Sequence, residues 1–333
     1  MAGDGVWQTA DRPYAQGASC LATGFLVALL QAAAAQSADA LPVERCVNLG
    51  NALDAPVEGD WGPPLARADI AWVAAQGFDS VRLPVRFHAH WDGAIDPEVL
   101  ARVDEVIGWA GAEGLAVILD LHHFDPLMED PDGYASVFVA IWEELARHYA
   151  AMPEGPLFEL LNEPFGALDN ARLAPLYAEA IAAIRRHDPA RWIVVGGDDW
   201  NGIEAMLALD LPEDDRIALT FHYYEPHAFT HQLARWRDEV LPPADWGSPA
   251  DLARIDAEFD RAASANRPVL LGEFGVAGEV SPDLRTPWTE AVRRAAEARG
   301  FGWCVWALEA EFPIRDRATG LWVPGFERAL MGP

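Results

Sequence analysis

Along most of the chain, short apolar and β-branched runs alternate with longer Ala-, Arg- and Glu-rich stretches whose apolar positions recur with helical period. The strand-like runs are Arg45–Leu49, Ser80–Leu83, Ala116–Leu121, Leu157–Leu161, Trp192–Gly196, Ile217–Phe221, Val269–Leu271 and Gly302–Trp306. Helices are predicted between them over Pro64–Gln76, Pro97–Glu113, Tyr134–Tyr149, Ala171–His187, Gly202–Leu209, Ala250–Asn266 and Thr286–Arg299, with a short last one at Phe326–Leu330. Pro97 stands behind Asp96, a cap followed by proline at the first helical position. Asp251 and Asp256 lie early in the sixth helix, near its positive end. Strand–helix units in strict alternation imply a parallel sheet with the helices outside. Eight of them close a single (β/α)8 barrel, an α/β fold. An open doubly wound sheet would carry a glycine-rich first turn, and this chain has none. The barrel domain is expected over residues 41–333.

The first 40 residues break the pattern. No charge occurs from Pro13 to Ala38, and the stretch from Cys20 to Leu30 is apolar. This reads as the core of an export signal, with Ala33–Ala35 or Ala38–Ala40 as the small-residue cleavage site. Residues 1–40 are thus expected to be a signal peptide or leader and the protein to be secreted or periplasmic. The competing reading is a helix packed under the fold. Cleavage would remove Cys20 and leave Cys46 and Cys304 in an oxidising compartment.

Charge narrows the partners. The formal net charge is −28, which repels phosphate backbones and anionic lipid. Nucleic acid is not an expected partner, nor is a membrane after processing. The 14 tryptophans are either core or platforms for flat, amphipathic ligands such as sugar rings. No GxGxxG, GxxxxGK[ST], GxSxG, HExxH or CxxC motif occurs. No cofactor is implied.

In a (β/α)8 barrel the active site lies at the C-terminal ends of the strands. Those ends carry Arg82, then Asp120 with His122 and His123, then Asn162 and Glu163, then His222 and Tyr224, then Glu273, and last Trp306. Buried as core, so many polar groups would be costly, so one shared cleft is expected. Glu163 ends the fourth strand and Glu273 the seventh, and across the mouth the two can face one another. Paired carboxylates flanking a bond are the equipment of glycoside hydrolysis. Either glutamate alone would read as a cap or an ion-pair partner. His88 and His90 form an H-x-H; a metal-dependent barrel hydrolase using them with His122 is a rival reading, without a supporting ligand set. His123 should point away from His122 if the strand continues, and so pack behind the site.

At this point the chain resembles the family 5 glycoside hydrolases, the cellulase-like retaining (β/α)8 clan. Phe158–Pro164 (FELLNEP) and Val269–Gly275 (VLLGEFG) resemble that family's two signature strands. Asn48–Leu53, Val81–Pro84, Ile118–His123, Phe221–Tyr224 and the Trp306 strand follow in the right order, and the resemblance covers about residues 43 to 332. It implies that Glu163 is the acid/base and Glu273 the nucleophile. Arg82 and Tyr224 would hold Glu273 ionised. Asn162 would bind the sugar 2-hydroxyl, His122 and His222 would bind hydroxyls or orient the acid/base, and Trp306 would floor the cleaved sugar. The implied activity is endo-β-1,4-glucanase on a polysaccharide or oligosaccharide, by a monomer, with no metal. Mannan, β-1,3- or mixed-linkage glucan and exo-action are alternatives on the same site. A carbohydrate-binding barrel without catalysis is the alternative of another class.

Flanking platforms are expected from some of Trp61, Trp91, Phe165, Trp200, Trp236, Trp246 and Trp322, with core as the competing reading for each. Tyr223–Gly247, the longest segment after a strand, should wall or cover the cleft. Cys46 and Cys304 fall in the first and last strands, which adjoin on closure. Two buried thiols or a disulfide both fit.

Overall fold

Eight parallel strands pair in chain order and the last closes onto the first. They are β1 (Arg45–Asn48), β2 (Ser80–Val85), β3 (Ala116–Leu121), β4 (Leu157–Glu159), β5 (Ile193–Val195), β6 (Ile217–Tyr223), β7 (Val269–Phe274) and β8 (Gly302–Val305). This computed structural model describes residues 40–333 except residue 153. The leader expectation therefore falls, but for Ala40, outside the described residues. Helices follow the strands: α1 (Arg67–Ala75), α2 (Pro97–Ala112), α3 (Asp125–Glu129), α4 (Pro131–Tyr149), α5 (Asn170–His187), α6 (Ile203–Ala208), α7 (His227–Thr230), α8 (Pro249–Ala262), α9 (Pro282–Ala298) and α10 (Phe326–Met331). A two-strand hairpin, β9 (Arg315–Asp316) with β10 (Leu321–Trp322), precedes α10. No helix of the described residues is long and apolar enough to cross a membrane.

The boundaries differ from the sequence reading for identifiable reasons. Pro84 cannot donate to a ladder, which argues for ending the second strand at Leu83. The strand runs on regardless, and Val85 O accepts from His122 N at 2.9 Å. Helices α4 and α9 start earlier than their apolar period, at Pro131 and Pro282. Proline at the first helical position starts both, and Asp130 caps α4 by accepting from Gly133 N.

The pleat sorts the strand residues into two layers. One set points outward, where Val47, Val81, Leu83, Leu119, Phe158, Ile193, Leu219 and Leu271 pack in the main core with the helices. The alternate set points inward. Cys46, Ile118, Leu157, Val194, Ala218, Leu270 and Cys304 form a separate apolar plug at the barrel floor. Above that plug the same inward positions turn polar: Asn48, Arg82, Asp120, Glu159 and Thr220, all fully buried. Cys46 and Cys304 are in-register neighbours on β1 and β8 and are joined by a disulfide. Of the two readings of these cysteines, the structure takes the bonded one.

Candidate active site

The polar layer is organised around Arg82, whose guanidinium donates in five directions. Nε and Nη2 donate to Glu159 at 2.7 and 2.9 Å. Nη1 donates to Asn48 Oδ1 at 2.9 Å and to Glu273 Oε1 at 2.8 Å. Nη2 also donates to Asn162 Oδ1 at 2.8 Å and lies 3.1 Å from Asp120 Oδ2. Burial opposes its charge, but Asp120, Glu159 and Glu273 together hold it firmly protonated. The same burial pushes Asp120 up to about 7 against the pull of Arg82. This buried network fixes the directions of the side chains at the mouth.

Glu273 reaches the mouth through an irregularity. In plain alternation it would share the outward face of Leu271. The β6–β7 register shifts between Phe221 and His222, so that Phe221 pairs with Leu271 but His222 with Glu273. Gly272 is the extra residue of this bulge. A Cβ there would lie 2.5 Å from Thr220 Oγ1 and 3.0 Å from His222 Nε2. Glu273 then accepts from Arg82 on one oxygen and from Tyr224 Oη at 2.9 Å on the other.

Glu163 is placed by strain. Its φ of +45° is left-handed, a conformation that costs a β-carbon-bearing residue of order 1–2 kcal/mol. His222 Nδ1 lies 2.8 Å from Glu163 Oε1 and 3.6 Å from Glu273 Oε2. One oxygen of each glutamate lies within 4.8 Å of the other. Burial pushes both carboxyls up to about 7. Burial likewise lowers His222 to about 4, so its ring is neutral.

The predicted residues all meet here. Arg82 and Tyr224 both donate to Glu273, and His222 lies beside Glu163. His122, Asn162, Glu163, His222, Tyr224, Glu273 and Trp306 line one open groove of about 1460 Å³. Trp306 stacks parallel to His122, with centroids 5.7 Å apart. Gly50 lies so close to the indole that a Cβ would sit 2.7 Å from it.

One expectation changes, and the readings left open resolve. His123 does not pack behind the site. The strand ends at Leu121 and the φ of His123 is +52°, so the pleat no longer applies and the ring faces the groove against Trp61. The aromatics divide: Trp61, Phe165, Trp200 and Trp236 line the groove, Phe165 and Trp200 stacking at 5.7 Å. Trp91, Trp246 and Trp322 instead pack against the core. The Tyr223–Gly247 segment walls the groove with His227, His231, Trp236 and Arg237. The rival metal set does not assemble. Among the described residues, the groups able to close on a cation are Asp54–His122–His123 and Glu163–His222–Glu273. His88 belongs to neither and stacks on Phe124.

Some site residues escaped the sequence reading. Asn48 and Glu159 are the last residues of β1 and β4, below the mouth, and an inward polar residue in an apolar run was the available signal. Asn201 lies in the β5–α6 connection, fully buried, its Nδ2 3.2 Å from His222 Nε2.

A (β/α)8 barrel with two close glutamates at the mouth of an open groove is the architecture of a glycoside hydrolase. The particular family follows from comparison: the cellulase family, glycosyl hydrolase family 5, matches residues 47–312, and the chain belongs to it. Endoglucanase H of Acetivibrio thermocellus is 32% identical over 300 residues, which span 86% of this chain and 32% of that protein. A hyperthermophilic endo-β-1,4-glucanase solved in complex with substrate superimposes with a TM-score of 0.85 at 34% identity, covering 87% of this chain and 97% of the other. Cel5A of Thermotoga maritima, solved with mannotriose, gives 0.83 at 34% identity over 87% and 97%.

Proposed function

We propose that the chain is a retaining endo-β-1,4-glucanase in which Glu163 is the acid/base and Glu273 the nucleophile. The separation of the two carboxyls carries the reading. Retaining enzymes hold them about 5–5.5 Å apart and inverting ones wider, to admit a water; here their nearest oxygens lie within 4.8 Å. The partners assign the roles. Glu273 accepts from a guanidinium and a phenol, which favour the carboxylate. Glu163 has a neutral imidazole as its partner, and burial raises its carboxyl to about 7, which suits a group that starts protonated.

In the first step Glu163 protonates the leaving glycosidic oxygen as Glu273 attacks the anomeric carbon and the C–O bond breaks. In the second, the ionised Glu163 takes a proton from water, whose oxygen displaces Glu273. Asn162, oriented by Arg82, binds the 2-hydroxyl, His122 binds a neighbouring hydroxyl, and Trp306 floors the sugar. An open groove with tryptophans along it suits attack within a chain rather than at its end. Export by the residue 1–40 leader and action as a monomer outside the cytoplasm complete the proposal. The relatives named endoglucanase support the β-1,4-glucan. The mannotriose bound by the Thermotoga maritima relative favours β-mannan as a second substrate.

The test is product release from carboxymethylcellulose, mixed-linkage β-glucan, β-1,3-glucan, mannan and xylan, with viscosity followed beside reducing ends. Release from the β-1,4-linked glucans, with viscosity falling early, is expected. Release from mannan or β-1,3-glucan alone overturns the substrate. Release at unchanged viscosity overturns endo-action.

A further inference from the structure

We infer that Asn201 is a positioning residue for acid catalysis, its side-chain amide fixing the tautomer of His222 so that the imidazole proton faces Glu163. The inference rests on the reading of Glu163 as the acid/base. Asn201 is fully buried in the β5–α6 connection, and its φ is +58°. Asp199 and Trp200 before it are also left-handed, at +55° and +54°. Left-handed backbone in β-carbon-bearing residues persists only where the surroundings impose it. Gly196, at the end of β5, makes the room: a Cβ there would lie 2.1 Å from Asn201 Oδ1.

The side chain thus delivered puts Nδ2 3.2 Å from His222 Nε2. An amide nitrogen only donates, so Nε2 supplies the lone pair and the ring carries its proton on Nδ1. That proton points at Glu163 Oε1, 2.8 Å away. Asn201 Oδ1 finds no partner, an uncompensated buried acceptor.

The tautomer matters for where the catalytic proton goes. With hydrogen on Nδ1, His222 donates to one oxygen of Glu163. The carboxyl proton then sits on the other oxygen, free to meet the leaving group. The same donor stabilises the carboxylate left after transfer. With hydrogen on Nε2 instead, the Nδ1 lone pair would accept the carboxyl proton and hold it from substrate. Arg82, Asp120, His122, Glu159, Glu273 and Tyr224 also act on this pair, and substitution at Asn201 alters the charge of none of them directly.

The experiment has two arms. Nitrogen-15 spectra of the histidine-labelled wild-type chain report the tautomer of His222, assigned with the His222→Gln variant. Protonation at Nδ1 is expected; protonation at Nε2 overturns the inference, whatever the variants do. In the second arm, Asn201→Ala and Asn201→Asp are compared on cellotetraose and on 2,4-dinitrophenyl β-cellobioside, whose leaving group needs no proton. Acid catalysis is worth about 10²–10⁴-fold. Asn201→Ala should lose roughly tenfold or more of that on cellotetraose and little on the aryl glycoside. Asn201→Asp, which sets an acceptor against Nε2, should also carry the alkaline fall in activity to higher pH, because the Nδ1 lone pair then holds the carboxyl proton of Glu163. Equal losses on both substrates with an unmoved pH profile mean a structural role only and overturn the inference. Glu163→Ala is run alongside. If it too loses equally on both substrates, the acid/base reading of Glu163 fails; if it spares the aryl glycoside, only the Asn201 step is in question.

Discussion

Glu273→Gln removes hydrolysis of cello-oligosaccharides, lowering kcat/KM by at least about 10⁴-fold, the scale on which loss of a covalent nucleophile acts. The amide keeps the shape of the carboxylate but cannot attack. The fold survives for a reason the site itself supplies. Burial raises the Glu273 carboxyl to about 7, so the folded chain binds that proton more tightly than the unfolded one. A raised carboxyl makes stability fall as pH climbs from the ordinary carboxylate range through about 7. The glutamine variant lacks that loss, so its Tm at pH 8 should equal or exceed that of the wild type. Inactivity with a retained Tm therefore reports on chemistry. Azide supplies the missing attack in Glu273→Ala: the rate should recover, and the product should be the α-glycosyl azide, formed by one displacement. Activity in Glu273→Gln within tenfold of wild type would remove Glu273 from the mechanism.

Arg82→Met should be the most destabilising single change in the barrel. It takes away the cation that Asp120, Glu159 and Glu273 all face inside the fold. Breaking a buried pair by deleting one partner costs about 3–5 kcal/mol, because the other charge stays buried. Three carboxyls are stranded here, yet they can escape by taking protons, which bounds the loss. For a chain of this size the cost corresponds to a Tm fall of roughly 10 °C at pH 7. The deficit has a predicted pH dependence. The stranded carboxyls bind protons more tightly than in the unfolded chain, so acidification towards pH 5 should restore part of the Tm difference. Thermal melts of both proteins at pH 5 and pH 7 give the comparison. A variant as stable as wild type at pH 7 would mean that Arg82 is not the keystone of the polar layer.

Much of this was legible in the residues. Eight apolar runs in strict alternation with helical ones leave little choice but a closed parallel barrel. Polar residues at the ends of those runs, Asn162 and Glu163 among them, mark the mouth because burying them as core would be costly. Glu273 is instructive, because its place in the motif was readable but its direction was not. A regular pleat turns it out with Leu271, and only the bulge at Gly272, a tertiary fit against Thr220 and His222, turns it in. His123 failed for the same reason in reverse, since a left-handed residue ended the alternation that placed it. Asn201 lay beyond reach, in a connection whose path depends on three consecutive left-handed residues. The tryptophans could not be sorted from sequence because whether Trp200 or Trp246 meets the groove is set by loop course, not by period.

The most direct test of the central claim is proton NMR of the first product released from cellohexaose by the wild-type enzyme, recorded before mutarotation. A double displacement through Glu273 delivers the β-anomer first, with the α-anomer appearing only as the sugar re-equilibrates. Initial release of the α-anomer would show a single displacement by water and would contradict the assignment of Glu273 as nucleophile.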